Sequence, residues 1–143
     1  MSNLHDTDFY SWTQQQAGLL RTNNIAALDI ANLIEEIEDM GRSEKRELKS
    51  RLQVLIMHLL KWQYQPRLRG TSWEATIKIQ RLDAQEVLQE NPGLKTLLPQ
   101  QFHEAYRKAR LHAVQETHLP LNTFPLQCPW SIDQVMSDDF WPE

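Results

Sequence analysis

Leu48-Lys49-Ser50-Arg51-Leu52-Gln53-Val54-Leu55-Ile56-Met57-His58-Leu59-Leu60-Lys61-Trp62 is the densest apolar run of a 143-residue chain, and its reading decides the fold. Leu48, Leu52, Leu55, Ile56, Leu59 and Trp62 recur every three or four residues, which lines up one face of an α-helix. Val54, Met57 and Leu60 carry apolar character around the rest of the middle. A helix that is apolar all round is a buried one. The reading therefore sets a central helix from about Ser43 to Tyr64, closed by Pro66.

Working outward from that centre, the same helical period continues in both directions. Downstream, Thr71-Ser72-Trp73-Glu74 has the pattern of a capping box, and Trp73, Ile77, Ala84 and Leu88 make the face of the helix it would start. Asn91-Pro92-Gly93 stops that helix, with a short helical turn to Leu98. A further helix is predicted from Pro99 to about Thr117, with a stripe of Phe102, Ala105, Tyr106, Ala109 and Ala113. Upstream, Ala26, Ile30, Leu33, Ile34 and Ile37 form a stripe over about Ile25 to Met40, with Gly41 as its terminator. Before it, Phe9, Trp12, Gln16, Leu19 and Leu20 mark a helix over Asp8–Arg21, capped by Thr7 or Asp8 and broken at Asn23-Asn24. Pro120, Pro125 and Pro129 make the chain beyond Leu119 extended, with a last short helix over Ile132–Met136 capped by Ser131.

No stretch alternates apolar and polar residues as a half-buried strand does. The expectation is an all-α fold: an antiparallel bundle of four to five main helices, with a Pro-rich C-terminal tail packed on the body. Residues 1–143 read as one domain, 1–119 forming the bundle and 120–143 the tail.

Composition narrows the function classes. Hydrophobic residues make up 41 % and charged residues 24 %, which is ordinary for a folded domain and not for a disordered chain. The single cysteine, Cys128, leaves no internal disulfide and no cysteine-rich zinc site, and it reads as a packing residue. Polar, acidic Met1–Asp8 lacks the pattern of a secretory signal, and no apolar run approaches a membrane span. These points suggest a cytoplasmic protein with no membrane partner.

Net charge is −4, but it is unevenly spread. Residues 1–41 carry seven acids against one base, and residues 42–81 carry ten bases against three acids. Either basic helices pair with acidic groups inside the fold, or the middle is a polyanion-binding face; the first is the commoner arrangement. A nucleic-acid reading would draw on Arg42, Lys45, Arg46 and Lys49, on Arg67 with Arg69, and on Tyr64, Trp62 and Trp73 for stacking.

Polar residues on or beside core faces are the candidates for chemistry. They are Arg51 and His58 along one edge of the central stripe, Gln80 in line with the next stripe and Arg81 at its border, Glu116 within the last long stripe and His112 on its flank, and Glu38 as the acid nearest the upstream face. A carboxylate on a core stripe needs a partner, so the plain expectation is a structural polar network. A metal reading would join His112 and Glu116, four apart on one helix, with His58. Neither a Glu-x-x-His pair nor a His-Glu-x-x-His motif accompanies them. Arg51 and His58, with six residues between them, resemble the Arg-x(4–6)-His motif of HEPN-type helical ribonucleases, although Leu52 stands where those enzymes carry a polar residue. No phosphate loop, nucleophile elbow or cofactor motif is present.

Several strings together are diagnostic. They are Asp8-Phe9-Tyr10-Ser11-Trp12, then Asn32 to Gly41, then His58-Leu59-Leu60-Lys61-Trp62-Gln63. Trp73, Thr76-Ile77, Gln80-Arg81, Ala105-Tyr106, Ala109-Arg110 and Glu116-Thr117 follow, and Cys128-Pro129 and Asp139-Phe140-Trp141-Pro142 close the set. Over nearly its full length the chain resembles the largely cyanobacterial family called domain of unknown function 29. That resemblance implies a compact helical bundle and brings no activity, ligand or catalytic residue with it. The expected role is a non-catalytic interaction or regulatory protein that binds protein, itself or another. The alternatives are an enzyme or metal-binding bundle built on His58, Arg51, His112 and Glu116, or a nucleic-acid binder using segment 42–81.

Overall fold

Asp8 opens the first long helix as a cap: its carboxylate accepts from the Ser11 backbone N–H at 3.1 Å and from the Ser11 hydroxyl at 2.7 Å. This is helix α2 (Phe9–Arg21), preceded by the short α1 (Leu4–Thr7). The computed structural model describes residues 4–143, so the reading of Met1–Asp8 lies partly outside the described residues. Asn23, at φ 57°, turns the chain after α2, and a 3₁₀ turn over Ile25–Ala27 leads on. Helix α3 then runs from Ile30 to Tyr64, α4 from Thr71 to Glu90, α5 from Leu98 to Thr117 and α6 from Ile132 to Met136. The described residues contain helices and turns and no strand, so the fold is an all-α bundle.

The chain divides into two compact units, one ending at Arg42 and the other spanning Ser43–Glu143. In the first, α2 and the start of α3 meet through polar groups. The Trp12 indole donates to Asp29 at 3.0 Å, Gln16 accepts from the Asp29 backbone N–H at 2.8 Å, and His5 bridges to Glu36 at 2.8 Å. The His5 ring also meets Phe9 and Trp12 edge-on.

In the second unit, Leu48, Leu52, Leu55, Ile56, Leu59 and Leu60 of α3 are wholly buried. They form one apolar cluster with Ile77, Ala84, Val87 and Leu88 of α4, with Phe102, Ala105, Tyr106, Ala109 and Ala113 of α5, and with Phe124, Trp130 and Val135 beyond. Burial of each large aliphatic side chain contributes about 1.5–3 kcal/mol, so this cluster dominates the stability of the second unit. Small alanines at 105, 109 and 113 allow close approach to α5.

Three local expectations are corrected. Gly41 does not terminate a helix: α3 passes through it with no positive φ. Strong helix formers flank it, the next proline is Pro66, and Arg42 pairs with Asp39 across it. One glycine costs roughly 1 kcal/mol, which such a run absorbs. The capping box at Thr71 is not formed. Thr71 is already helical after Gly70, and Glu74 pairs instead with Lys78 at 3.0 Å. Finally, the stripe of Ile30, Ile34 and Ile37 is exposed rather than packed. By contrast, Ser131 and Gln134 form a reciprocal capping box that starts α6.

Candidate functional site

The polar residues singled out above have different hydrogen-bond partners, although His58 lies near enough to Glu116 to feel its charge. Arg51 lies among carboxylates, 2.8 Å from Glu47 and 3.3 Å from Asp83, in a shallow acidic groove that also carries Glu44, Glu86 and Glu90. His58 is half-buried, and its Nδ1 lies 2.9 Å from the Val54 carbonyl, one turn back on the same helix. Burial pushes its pKa below the ordinary histidine value, with the Val54 carbonyl and the Glu116 charge opposing and the Lys61 charge reinforcing the shift. His112 and Glu116 line a different hollow of about 370 Å³ with Gln53, Val54, Met57 and Gln115. Neither Arg51 nor His58 belongs to its lining. Glu38 is exposed on the first unit.

Two placements differ from the periodicity reading. Glu116 is exposed, and the next residue, Thr117, takes the core position, because the i+4 series Ala105, Ala109, Ala113 continues to 117. The Thr117 hydroxyl donates to the Ala113 carbonyl at 2.7 Å. Arg81, expected at the border of its stripe, is completely buried four residues after Ile77 and three before Ala84. Among the described residues, no group of three or more His, Cys, Asp or Glu side chains is arranged to hold a metal ion.

Arg81 has a clear task. Its Nε donates to the Val135 carbonyl at 2.9 Å and its Nη2 to the Phe140 carbonyl at 2.6 Å, and its guanidinium lies over the Trp141 ring. Burial lowers its pKa, with the charge of Asp138 opposing. Its Nη1 and the Oε1 of Gln80 are buried without a hydrogen-bond partner among the described residues.

Four further residues, none of which the sequence reading assigned to this task, do the same work. Gln85 donates to the Met136 carbonyl, Arg110 to the carbonyls of Phe124 and Leu121, Arg69 to those of Trp62 and Glu143, and Tyr106 to that of Pro125. Apart from Trp62, the acceptors lie in the irregular chain after Pro120 or in its short helical turns, where carbonyls lack a full helical ladder and side-chain donors supply partners. Tyr106, buried by this contact, has its phenol pushed up to about 12. Burial likewise pushes the Cys128 thiol up to about 11, as suits a packing residue. The available signal was the proline spacing itself, which announces unpaired carbonyls but not which donors reach them.

The basic segment is largely engaged. Arg42, Lys49, Arg51 and Lys78 pair with carboxylates, Lys61 lies over Trp73, Arg69 holds carbonyls and Arg81 is buried. No described helix is long and apolar enough to cross a membrane.

These features define an all-α protein in which Arg81, Gln85, Tyr106 and Arg110 hydrogen-bond main-chain carbonyls of the chain beyond Pro120. The chain belongs to the family described as domain of unknown function DUF29, whose model matches residues 4–141. No curated protein and no solved structure matches it.

Proposed function

We propose that this protein acts by binding another polypeptide, without catalysis, through the apolar row of α3 in its first unit. The observation that carries this reading is the exposure of that row. Ile30, Ile34, Ile37 and Met40 leave 51, 52, 61 and 62 % of their surface open. Single exposed apolar residues are ordinary, but a row at i, i+4, i+7 and i+10 is the pattern of a helix face that receives a partner. The engagement of Arg51 by Glu47 and Asp83, and of the His58 Nδ1 by the Val54 carbonyl, supports the non-catalytic part, since acid–base work needs groups free to reach one substrate.

The test is site-specific photo-crosslinking in cells that make the protein. A photo-reactive residue is placed at Ile34, and a control at Gln89, exposed on α4. Covalent adducts to a polypeptide from position 34 and few from position 89 are the expected result. Equal or absent adducts at both positions would overturn the reading.

A further inference from the structure

Two exposed surfaces of the chain are complementary in both apolarity and charge. The first is the apolar row of α3. Between Asp29 and Asp39 there are five acids and no base. Glu36 is taken by His5 and Asp39 by Arg42, whereas exposed Glu35 and Glu38 form no ion pair among the described residues. The second surface lies in the second unit: a groove of about 590 Å³ lined by Lys49, Arg107, Lys108, Leu111 and Leu126, with Glu104 and Arg110. Leu111 and Leu126 are 57 and 78 % exposed. Arg107 and Lys108 form no ion pair among the described residues, and Glu104 is neutralised by Lys49 at 3.2 Å.

From this complementarity we infer that a second copy of the chain is the partner: the Ile30–Met40 row of one molecule docks into the Lys49–Arg107–Lys108 groove of another. The inference rests on the interaction reading above and names the occupant. Pairing the two rows with each other would be disfavoured, because Glu35 and Glu38 would border a seam of like charge. In the groove, the same carboxylates meet Arg107 and Lys108, while Ile34 and Ile37 cover Leu111 and Leu126. A contact between two different surfaces is heterologous, so it closes into a ring or grows, according to the rotation it imposes. Its electrostatic part weakens with salt.

Sedimentation velocity of the full chain, from micromolar to millimolar concentration at low and high salt, tests this. The expected result is a mass that rises with concentration at low salt and falls back towards the monomer at high salt. Reversing either partner, as E35K/E38K or R107E/K108E, should weaken association by about tenfold or more, and combining the two reversals should restore it. Circular dichroism confirms that each variant keeps its helices. A chain that stays monomeric under all conditions, or a combined variant no better than its parents, overturns the second-copy inference. The cross-link from position 34 separates the two proposals. An adduct to a different polypeptide leaves the interaction reading standing and removes this one. An adduct mapping to the segment around Arg107–Leu126 supports both, and no adduct together with a monomer removes both.

Discussion

Ile30, Ile34 and Ile37 have the same i, i+4, i+7 spacing as Leu48, Leu52 and Leu55 further along α3, yet the first three are about half exposed and the second three are wholly buried. The difference lies in what each unit provides. The second unit supplies α4, α5 and the tail, and their apolar side chains join the leucines in one cluster. The first unit supplies α1 and α2, whose His5, and Trp12 with Gln16, act on Glu36 and Asp29 respectively. A periodic apolar pattern thus specifies a helix and its face. Whether that face is buried depends on apolar area elsewhere in the chain.

The sharpest way to break this comparison is a matched pair of truncations. Leu52→Ala should cost about 3 kcal/mol, from lost transfer free energy and a residual cavity. Ile34→Ala, on open surface, should change stability by no more than about 0.5 kcal/mol. Urea denaturation of the two variants at a concentration where the chain is monomeric makes the comparison. Similar losses would mean that the upstream row is covered and that the contrast between the units is false.

The next largest effect belongs to the tail. Arg81→Met keeps most of the buried volume but removes the donors to Val135 and Phe140, leaving two carbonyls unpaired. A loss of about 2–3 kcal/mol is expected, with the shift read as a lower urea midpoint. Hydrogen exchange should localise it to residues 131–143. A variant as stable as the parent would show that these bonds do not hold the tail.

The fold was legible because helical period, breakers and turn residues agree along most of the chain. Leu48–Trp62 announced its burial, Asn23 and Asn91 marked ends, and Ser131 marked a start. Gly41 misled, because a glycine's preference to end a helix is worth only roughly 1 kcal/mol and the residues on either side outvote it. The site was less legible. Periodicity found that Arg81 was near the core, but its acceptors are main-chain carbonyls more than fifty residues away, which carry no residue-type signal. Glu116 was misplaced by one residue, where a stripe drifts between i+3 and i+4 and a single step decides burial. His5 with Glu36 lay in no stripe at all.

A smaller, stabilising effect tests the continuity of α3 between the patterns being compared. Gly41 has no positive φ, and a Cβ added there meets nothing within 4 Å. Gly41→Ala should therefore stabilise the protein by about 0.4–1 kcal/mol, chiefly by restricting the unfolded chain. The expected readout is a higher melting temperature and slower amide exchange over residues 38–45. A loss of stability would mean that α3 bends or opens at Gly41.

The smallest expected effect distinguishes the units by pH. His5 lies between Asp6 at 3.0 Å and Glu36 at 2.8 Å, and the Glu36 hydrogen bond, followed by that from Asp6, raises its pKa above 6.5. The stabilisation from protonated His5 is therefore fully present below the unfolded value of about 6.5 and is lost as pH rises through the folded value. His58 in the second unit shifts the other way, because burial disfavours its charged form. Titration of the histidine ring signals by NMR should place His5 above 6.5 and His58 below it. As pH rises past the His5 midpoint, exchange should quicken at α1 and at the α3 segment around Glu36, while the amides around Leu52–Leu59 keep their protection. His5→Gln, which retains a hydrogen-bonding side chain without the titration, should flatten that response in the first unit alone. Faster exchange in both units together, or a His5 midpoint at or below 6.5, would show that this clasp does not hold α1 against α3.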